Sequence, residues 1–313
     1  MGFILQSIRV GIVGLGKIAL EEHVPALQAN AAFELVAAAS AKASLEDVPS
    51  YGNFEEMLAH CPEIEAVAIC TPPQAHFEAA RFALQHGKHV LLEKPPCPTV
   101  AEFDELTALA AKVGRTLFQS WHARESRAVG DAVAWIGGRA VTGGRVVWKE
   151  DVRHWHPGQA WIWQDGGFGV LDAGINAISI LTRLLPEPLT VEAAHLLVPA
   201  NCVSPIAAAV AFRTVSGALI DADFDFRHHG DQARAMELDT PDGALTLAWQ
   251  GAAKPARGKM VELGTQEEEY ASLYARFADL IARGQSETDK RPLELVTEIL
   301  AKADRSTVAP FSE

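Results

Sequence analysis

Ile8-Arg9-Val10-Gly11-Ile12-Val13-Gly14-Leu15-Gly16-Lys17-Ile18-Ala19 decides the reading of the chain. Its first half is a short apolar run with β-branched residues, the pattern of a buried strand. Gly14-x-Gly16-x-x-Ala19 follows at once, and Lys17 to about Gln28 reads as a helix. Glycines directly after a strand let the backbone approach a pyrophosphate, and a helix start turns N–H groups toward that anion. In this setting Gly14, Gly16, Lys17 and Ile18 are expected beside a dinucleotide; in mid-chain the same glycines would mark only a tight turn.

Outward from this loop, strand and helix alternate. Phe33 to Ser40, Ala66 to Cys70, His89 to Leu92 and Thr116 to Ser120 read as strands. Between them, Asn53 caps a short helix, Gln74 to His86 is helical, and Thr99 with Glu102 forms a capping box for a helix ending near Gly114. This rhythm predicts a parallel, doubly wound sheet, an α/β Rossmann domain over residues 1–123. From 124 to 313 the rhythm changes to turn-linked strands, beginning near 140, 189, 206, 218, 233 and 244 (the last ending at Trp249), with helices near 172–185, 268–283 and 292–302. That predicts an α+β domain with a mostly antiparallel open sheet, for substrate binding and dimerisation.

The chain has 313 residues, enough for two domains at roughly 150 each. Its 27 Lys and Arg against 40 Asp and Glu leave a net charge of −13. So acidic a surface repels nucleic-acid backbones and anionic lipid heads, so neither is expected as a partner. No apolar run reaches membrane-span length and no signal peptide is legible. Cys61, Cys70, Cys97 and Cys202 are scattered without a CxxC, which reads as reduced thiols in a cytoplasmic protein.

Several residues carry candidate chemistry. The end of the second strand has no acid to bond a ribose diol; Ser40 and Lys42 stand there instead, either holding a 2′-phosphate or simply exposed. NADP is therefore favoured over NAD. Lys94 follows a strand end and precedes Pro95-Pro96, which fix its backbone; it is a proton-transfer candidate or a surface partner of Glu93. Four tryptophans lie between 148 and 163 among Glu150, Asp151, His154, His156 and Gln159. Flat faces beside carboxylates and imidazoles suit a sugar ring; a packed aromatic loop is the other reading. His154-x-His156 does not have structural-zinc spacing, and no metal is expected. Asp172 and Asn176, four apart, share a helix face behind a glycine-rich turn, either as a proton-transfer pair or as helix-dipole complements.

Gly14-Leu15-Gly16, Thr71-Pro72-x-x-x-His76, Glu93-Lys94-Pro95 and Gly166-Gly167-x-Gly169-x-x-Asp172-x-Gly174-x-Asn176 together resemble the Gfo/Idh/MocA oxidoreductase family over nearly the whole chain. Trp148-Lys149-Glu150-Asp151, Trp155-His156-Pro157-Gly158-Gln159 and Phe224-Asp225-Phe226-Arg227-His228 are similar to its branch acting on L-arabinose and D-galactose at C1. The resemblance implies a nicotinamide cofactor on Gly14, Gly16, Lys17, Ile18, Ser40, Lys42, Thr71, Pro72, His76, Glu93, Lys94 and Trp163. It implies a sugar held by His122, Glu150, Trp155, His156 and Phe226, catalysis by Asp172, Lys94 and Asn176, and a homodimer. Family members usually carry a histidine base where this chain has Asn176, which leaves Asp172 or Lys94 to take the proton. The rival readings are a family member acting on an inositol or on an imine or ene substrate, and a dinucleotide-sensing regulator without turnover.

Overall fold

The computed structural model describes residues 7–185, 187–230, 232–248 and 257–312. They form two compact units: Met1–His122 with Gln266–Lys290, and Ala123–Thr265 with Arg291–Glu313.

In the first unit, β1 (Ile8–Val13) leads through a π-helical turn, Ala19–His23, into α1 (Val24–Ala29). Pro25 has no N–H to offer the carbonyl four residues back, and the helix widens just before it. Then come β2 (Phe33–Ala39), β3 (Ser50–Tyr51), α2 (Phe54–His60), β4 (Ala66–Ile69), α3 (His76–Gln85), β5 (His89–Leu92), α4 (Val100–Val113) and β6 (Leu117–Gln119). The local signals act as expected. Asn53 accepts from Glu56 N at 2.8 Å, Thr99 and Glu102 close a capping box, and Gly114 ends α4 in the left-handed region. The sheet order is β3-β2-β1-β4-β5-β6, every pair parallel. Strand order reverses between β1 and β4, so the glycine turn lies where such sheets bind ligands.

The helix Gln266–Arg283 belongs to this unit, whereas the sequence reading put residues 266–290 with the second. Its stripe of Tyr270, Leu273, Tyr274, Phe277 and Leu280 is buried in one cluster with Val10, Ile12, Leu27, Phe33 and Phe118. Periodicity shows that such a helix needs a core; it does not show which core.

The second unit comprises α5 (Arg127–Ile136), β7 (Gly143–Lys149), α6 (Val152–Trp155), α7 (Val170–Leu184), β8 (Leu189–Pro199), β9 (Ala207–Thr214), β10 (Leu219–Asp225), β11 (Ala233–Thr240), β12 (Gly243–Ala248) and β13 (Gly258–Glu262). After the helix Gln266–Arg283, here α8, come α9 (Arg291–Lys302) and β14 (Asp304–Val308). The expected strand end at Trp249 lies outside the described residues. The sheet order is β13-β12-β11-β7-β10-β9-β8-β14. It is mixed: β7–β10, β12–β13 and β8–β14 are parallel and the other four pairs antiparallel. The parallel pairs lack the short-turn signal that marks a hairpin, so β13 and β14 went unread in the sequence; the helix α5 went unread as well.

α7 packs on β7, β9 and β10 and against α5 and α9, and every residue of it but Arg183 is buried. Its entry is tightly built. Gly169, the N-cap, has φ +55°, and a Cβ there would lie 2.1 Å from Pro205 O. Phe168, a non-glycine at φ +67°, precedes it in a sparsely populated region. This turn puts Asp172 in the first turn of α7, with its N–H on Gly169 O at 2.9 Å.

Candidate active site

The first unit offers a cradle. Gly14 has φ +89°, and a Cβ there would lie 2.7 Å from Thr71 N, so only glycine lets the turn after β1 meet the turn after β4. At Gly16 a Cβ would meet nothing within 4 Å; that side is open. Thr71 Oγ1 is buried without a hydrogen-bond partner among the described residues. An open glycine turn, a helix start and an unengaged hydroxyl fit a phosphate-bearing cofactor. Lys17 Nζ pairs with Glu21 one turn on. Ser40 Oγ accepts the N–H of the exposed Lys42 at 3.3 Å, and Pro72 is exposed.

Two residues expected at the cofactor, His76 and Glu93, are buried and engaged within the fold. His76 is fully buried, with Nε2 2.6 Å from Thr71 O and Nδ1 2.9 Å from Pro95 O. Burial lowers its pKa from the ordinary value. It ties the turn after β4 to the segment after Lys94. Glu93 is also buried and is the hub of a polar network. Its Oε1 receives His23 Nε2 at 3.1 Å, Ser120 Oγ at 2.7 Å and Tyr270 Oη at 2.9 Å; its Oε2 receives Lys94 N at 3.0 Å. Burial alone would raise this carboxyl's pKa, but the hydrogen bond from His23, with the others, outweighs it and holds the group well below its usual range. Tyr274 Oη lies 2.8 Å from His23 Nδ1, and burial pushes the Tyr270 and Tyr274 phenols well up. His122 is buried, stacked on Tyr270 and bonded through Nδ1 to Glu269 at 2.8 Å. Lys94 is half-buried, its backbone fixed by the Glu93 carboxylate.

The second unit brings other candidates together. His156 Nε2 stands 3.6 Å from Asp172 Oδ2, with Asp172 only 2% exposed and His156 15%. His156 Nδ1 is 3.2 Å from Gln159 Oε1, and the ring has Trp161 and Phe226 beside it. Asn176, one turn after Asp172, is buried, and its Oδ1 has no hydrogen-bond partner among the described residues. Phe226 is fully buried. Nearby in sequence, Glu150 is buried in an ion pair with Arg234. The Arg234 guanidinium lies 4.8 Å from the Trp148 ring centre and 5.4 Å from that of Trp155. Trp163 stands 5.0 Å from Phe311, and both line a cavity of about 540 Å³ with Gly158, Asp165, Asn201 and Val203. No group of three His, Cys, Asp or Glu poised to hold a metal occurs among the described residues.

The sequence reading missed His23, Ser120, Tyr270, Tyr274 and Arg234. Two left a trace: Tyr270 and Tyr274 are four apart, a one-face aromatic pair in an otherwise acidic helix. Arg234 left none, because a lone arginine in a strand reads as exposed.

The model of an oxidoreductase family with an NAD-binding Rossmann fold, Gfo/Idh/MocA, matches residues 8–120. A galactose 1-dehydrogenase of Pseudomonas fluorescens is 42% identical over 308 residues, covering 98% of this chain and 99% of that one. The crystal structure of a D-galactose-1-dehydrogenase from Rhizobium etli superposes with a TM-score of 0.87 at 43% identity, covering 98% of both chains. A 3-ketoreductase from Actinomadura kijaniata, solved with NADP, superposes with a TM-score of 0.79 at 20% identity over 97% of this chain and 100% of its own; that likeness concerns the fold alone.

Proposed function

The chain belongs to the Gfo/Idh/MocA oxidoreductase family, and on that premise we propose that it is an aldose 1-dehydrogenase. It oxidises D-galactose, L-arabinose or both at C1 to the lactone, with NADP⁺ favoured over NAD⁺. The observation that carries the reading is the grouping of Asp172, His156 and the unpartnered Asn176 Oδ1 in the second unit. A carboxylate and an amide oxygen on adjoining turns of α7, with an imidazole from the loop after α6, suit an oxidation in which one hydroxyl loses its proton and its neighbours must be held. The likeness to galactose 1-dehydrogenase along the full chain supports the sugar.

The bound nicotinamide supplies the acceptor for the hydride from C1. The protein's own part is orientation and proton handling. Asp172 accepts the C1 hydroxyl proton, since a carboxylate is ionised at neutral pH and asparagine at 176 cannot take one. Lys94 holds the C1 oxygen, and Asn176 orients a hydroxyl. Trp155 stacks on the sugar's C–H face, Glu150 and His122 meet hydroxyls, and His156 borders the sugar beside Asp172. Gly14, Gly16, Lys17, Ile18, Thr71 and Pro72 line the phosphates, Ser40 and Lys42 bind the 2′-phosphate, and Trp163 borders the nicotinamide. The reading includes a cytoplasmic homodimer; the buried thiols of Cys61, Cys70 and Cys97 suit a reducing compartment.

The test is reduction of NADP⁺ and NAD⁺ with a panel of aldoses and inositols, followed at the nicotinamide absorbance. Turnover is expected on D-galactose and L-arabinose and not on inositols. Ser40→Asp is expected to move kcat/KM toward NAD⁺. A wild-type enzyme already tenfold better with NAD⁺, about 1.4 kcal/mol in transition-state terms, would refute the cofactor preference.

A further inference from the structure

We propose that His156 is the proton acceptor behind Asp172: an imidazole supplied by the loop after α6, where the family's pattern has one on the helix that carries Asn176. The inference rests on the aldose dehydrogenase reading and extends it. Its ground is a tautomer. Trp161 Nε1, which can only donate, gives its hydrogen to Gln159 Oε1 at 3.0 Å. That oxygen can therefore only accept from His156 Nδ1, 3.2 Å away. With Nδ1 carrying a hydrogen, the neutral ring presents its Nε2 lone pair to Asp172 Oδ2 at 3.6 Å. Two acceptors face each other across a gap longer than a hydrogen bond, and one added proton would bridge them. Such distances in a ligand-free site close in the reacting complex.

The step balances. The C1 hydroxyl O–H bond breaks and its proton bonds to Asp172 Oδ2. The electron pair of the C1–H bond leaves with the hydride to the oxidised nicotinamide, and the C1–O bond becomes the lactone carbonyl. The proton on Asp172 then moves to His156 Nε2, restoring the carboxylate and leaving an imidazolium. The ring's 15% exposure gives that proton a way to water, which Asp172 at 2% does not have. Phe226 and Trp161 beside the ring restrict its orientation, and Gln159 fixes which nitrogen waits.

The experiment compares the wild-type enzyme with His156→Ala, His156→Asn and Gln159→Leu on the best aldose. Loss of the acceptor is expected to lower kcat about 100-fold in both His156 variants, with a smaller change in KM. Added imidazole restores a large part of kcat in His156→Ala and none in wild type. Gln159→Leu, which frees the tautomer, shifts the ring-nitrogen NMR signals away from the Nδ1–H pattern and lowers kcat about tenfold. Kcat within threefold of wild type in His156→Asn, or a loss carried wholly by KM, overturns the proposal. So does a wild-type ring whose nitrogen signals show the Nε2–H tautomer. A wild-type enzyme without turnover on any aldose refutes instead the function on which the proposal rests; the ring-nitrogen spectrum separates the two failures.

Discussion

Two buried carboxylates, one in each unit, have opposite surroundings. Glu93 receives three donors on one oxygen and a backbone N–H on the other, so its charge is fully answered. Asp172 faces an imidazole whose far nitrogen is already engaged and whose near one stands 3.6 Å off. Both are fixed by their elements, and on the proposed mechanism it is Asp172 that exchanges a proton. Burial alone does not make a carboxylate reactive; the donors around it decide. Glu93 fixes the backbone of Lys94 and ties in the helix Gln266–Arg283, whereas Asp172 is the residue proposed for the chemistry.

Substitution at each should separate the two roles. Asp172→Asn is expected to lose about 1,000-fold in kcat, about 4 kcal/mol of barrier, with its thermal midpoint near wild type. A stability loss of the same size in this variant would erase the distinction from Glu93. Glu93→Gln should show the reverse emphasis. An amide NH₂ then faces donors, and urea unfolding should record a loss of roughly 3 kcal/mol. The same variant sharpens the comparison in acid. Glu93's folded-state pKa is depressed, so its contribution is complete above the ordinary glutamate value of 4.5 and fades as pH falls below it. Wild-type stability should fall more steeply below about pH 4.5 than that of Glu93→Gln; parallel acid profiles would contradict this. The smallest effect is expected at Trp155→Ala, which removes stacking shared by ground and transition states. KM for the sugar should rise about tenfold with kcat little changed.

The glycine turn, the caps and the alternating strands of the first unit were legible because each is a local signal. The residues that make the turn after β1 are adjacent, and so are Thr99 and Glu102. Lys94 was singled out by its prolines, but the network that fixes its backbone was not legible. His23, Ser120 and Tyr270 come from three distant places, and no period links them to Glu93. His156 was read as a sugar contact. Its pairing with Asp172 spans a loop, and the tautomer that gives the pair meaning depends on Gln159 and Trp161 in three dimensions. The second sheet reads as mostly antiparallel, as four of its seven pairs are, because hairpins announce themselves in turn residues; its three parallel pairs stayed unread because crossovers do not.

The return of residues 266–290 to the first unit sets an order of events during synthesis. After His122 leaves the ribosome, roughly 160 residues must still be made before the helix with Tyr270 and Phe277 exists. At ~5–20 residues per second, that wait lasts on the order of ten to thirty seconds. Throughout it, the apolar face that this helix covers stays open and Glu93 lacks the Tyr270 hydroxyl. The nascent first unit thus keeps an apolar face uncovered until that helix has been made.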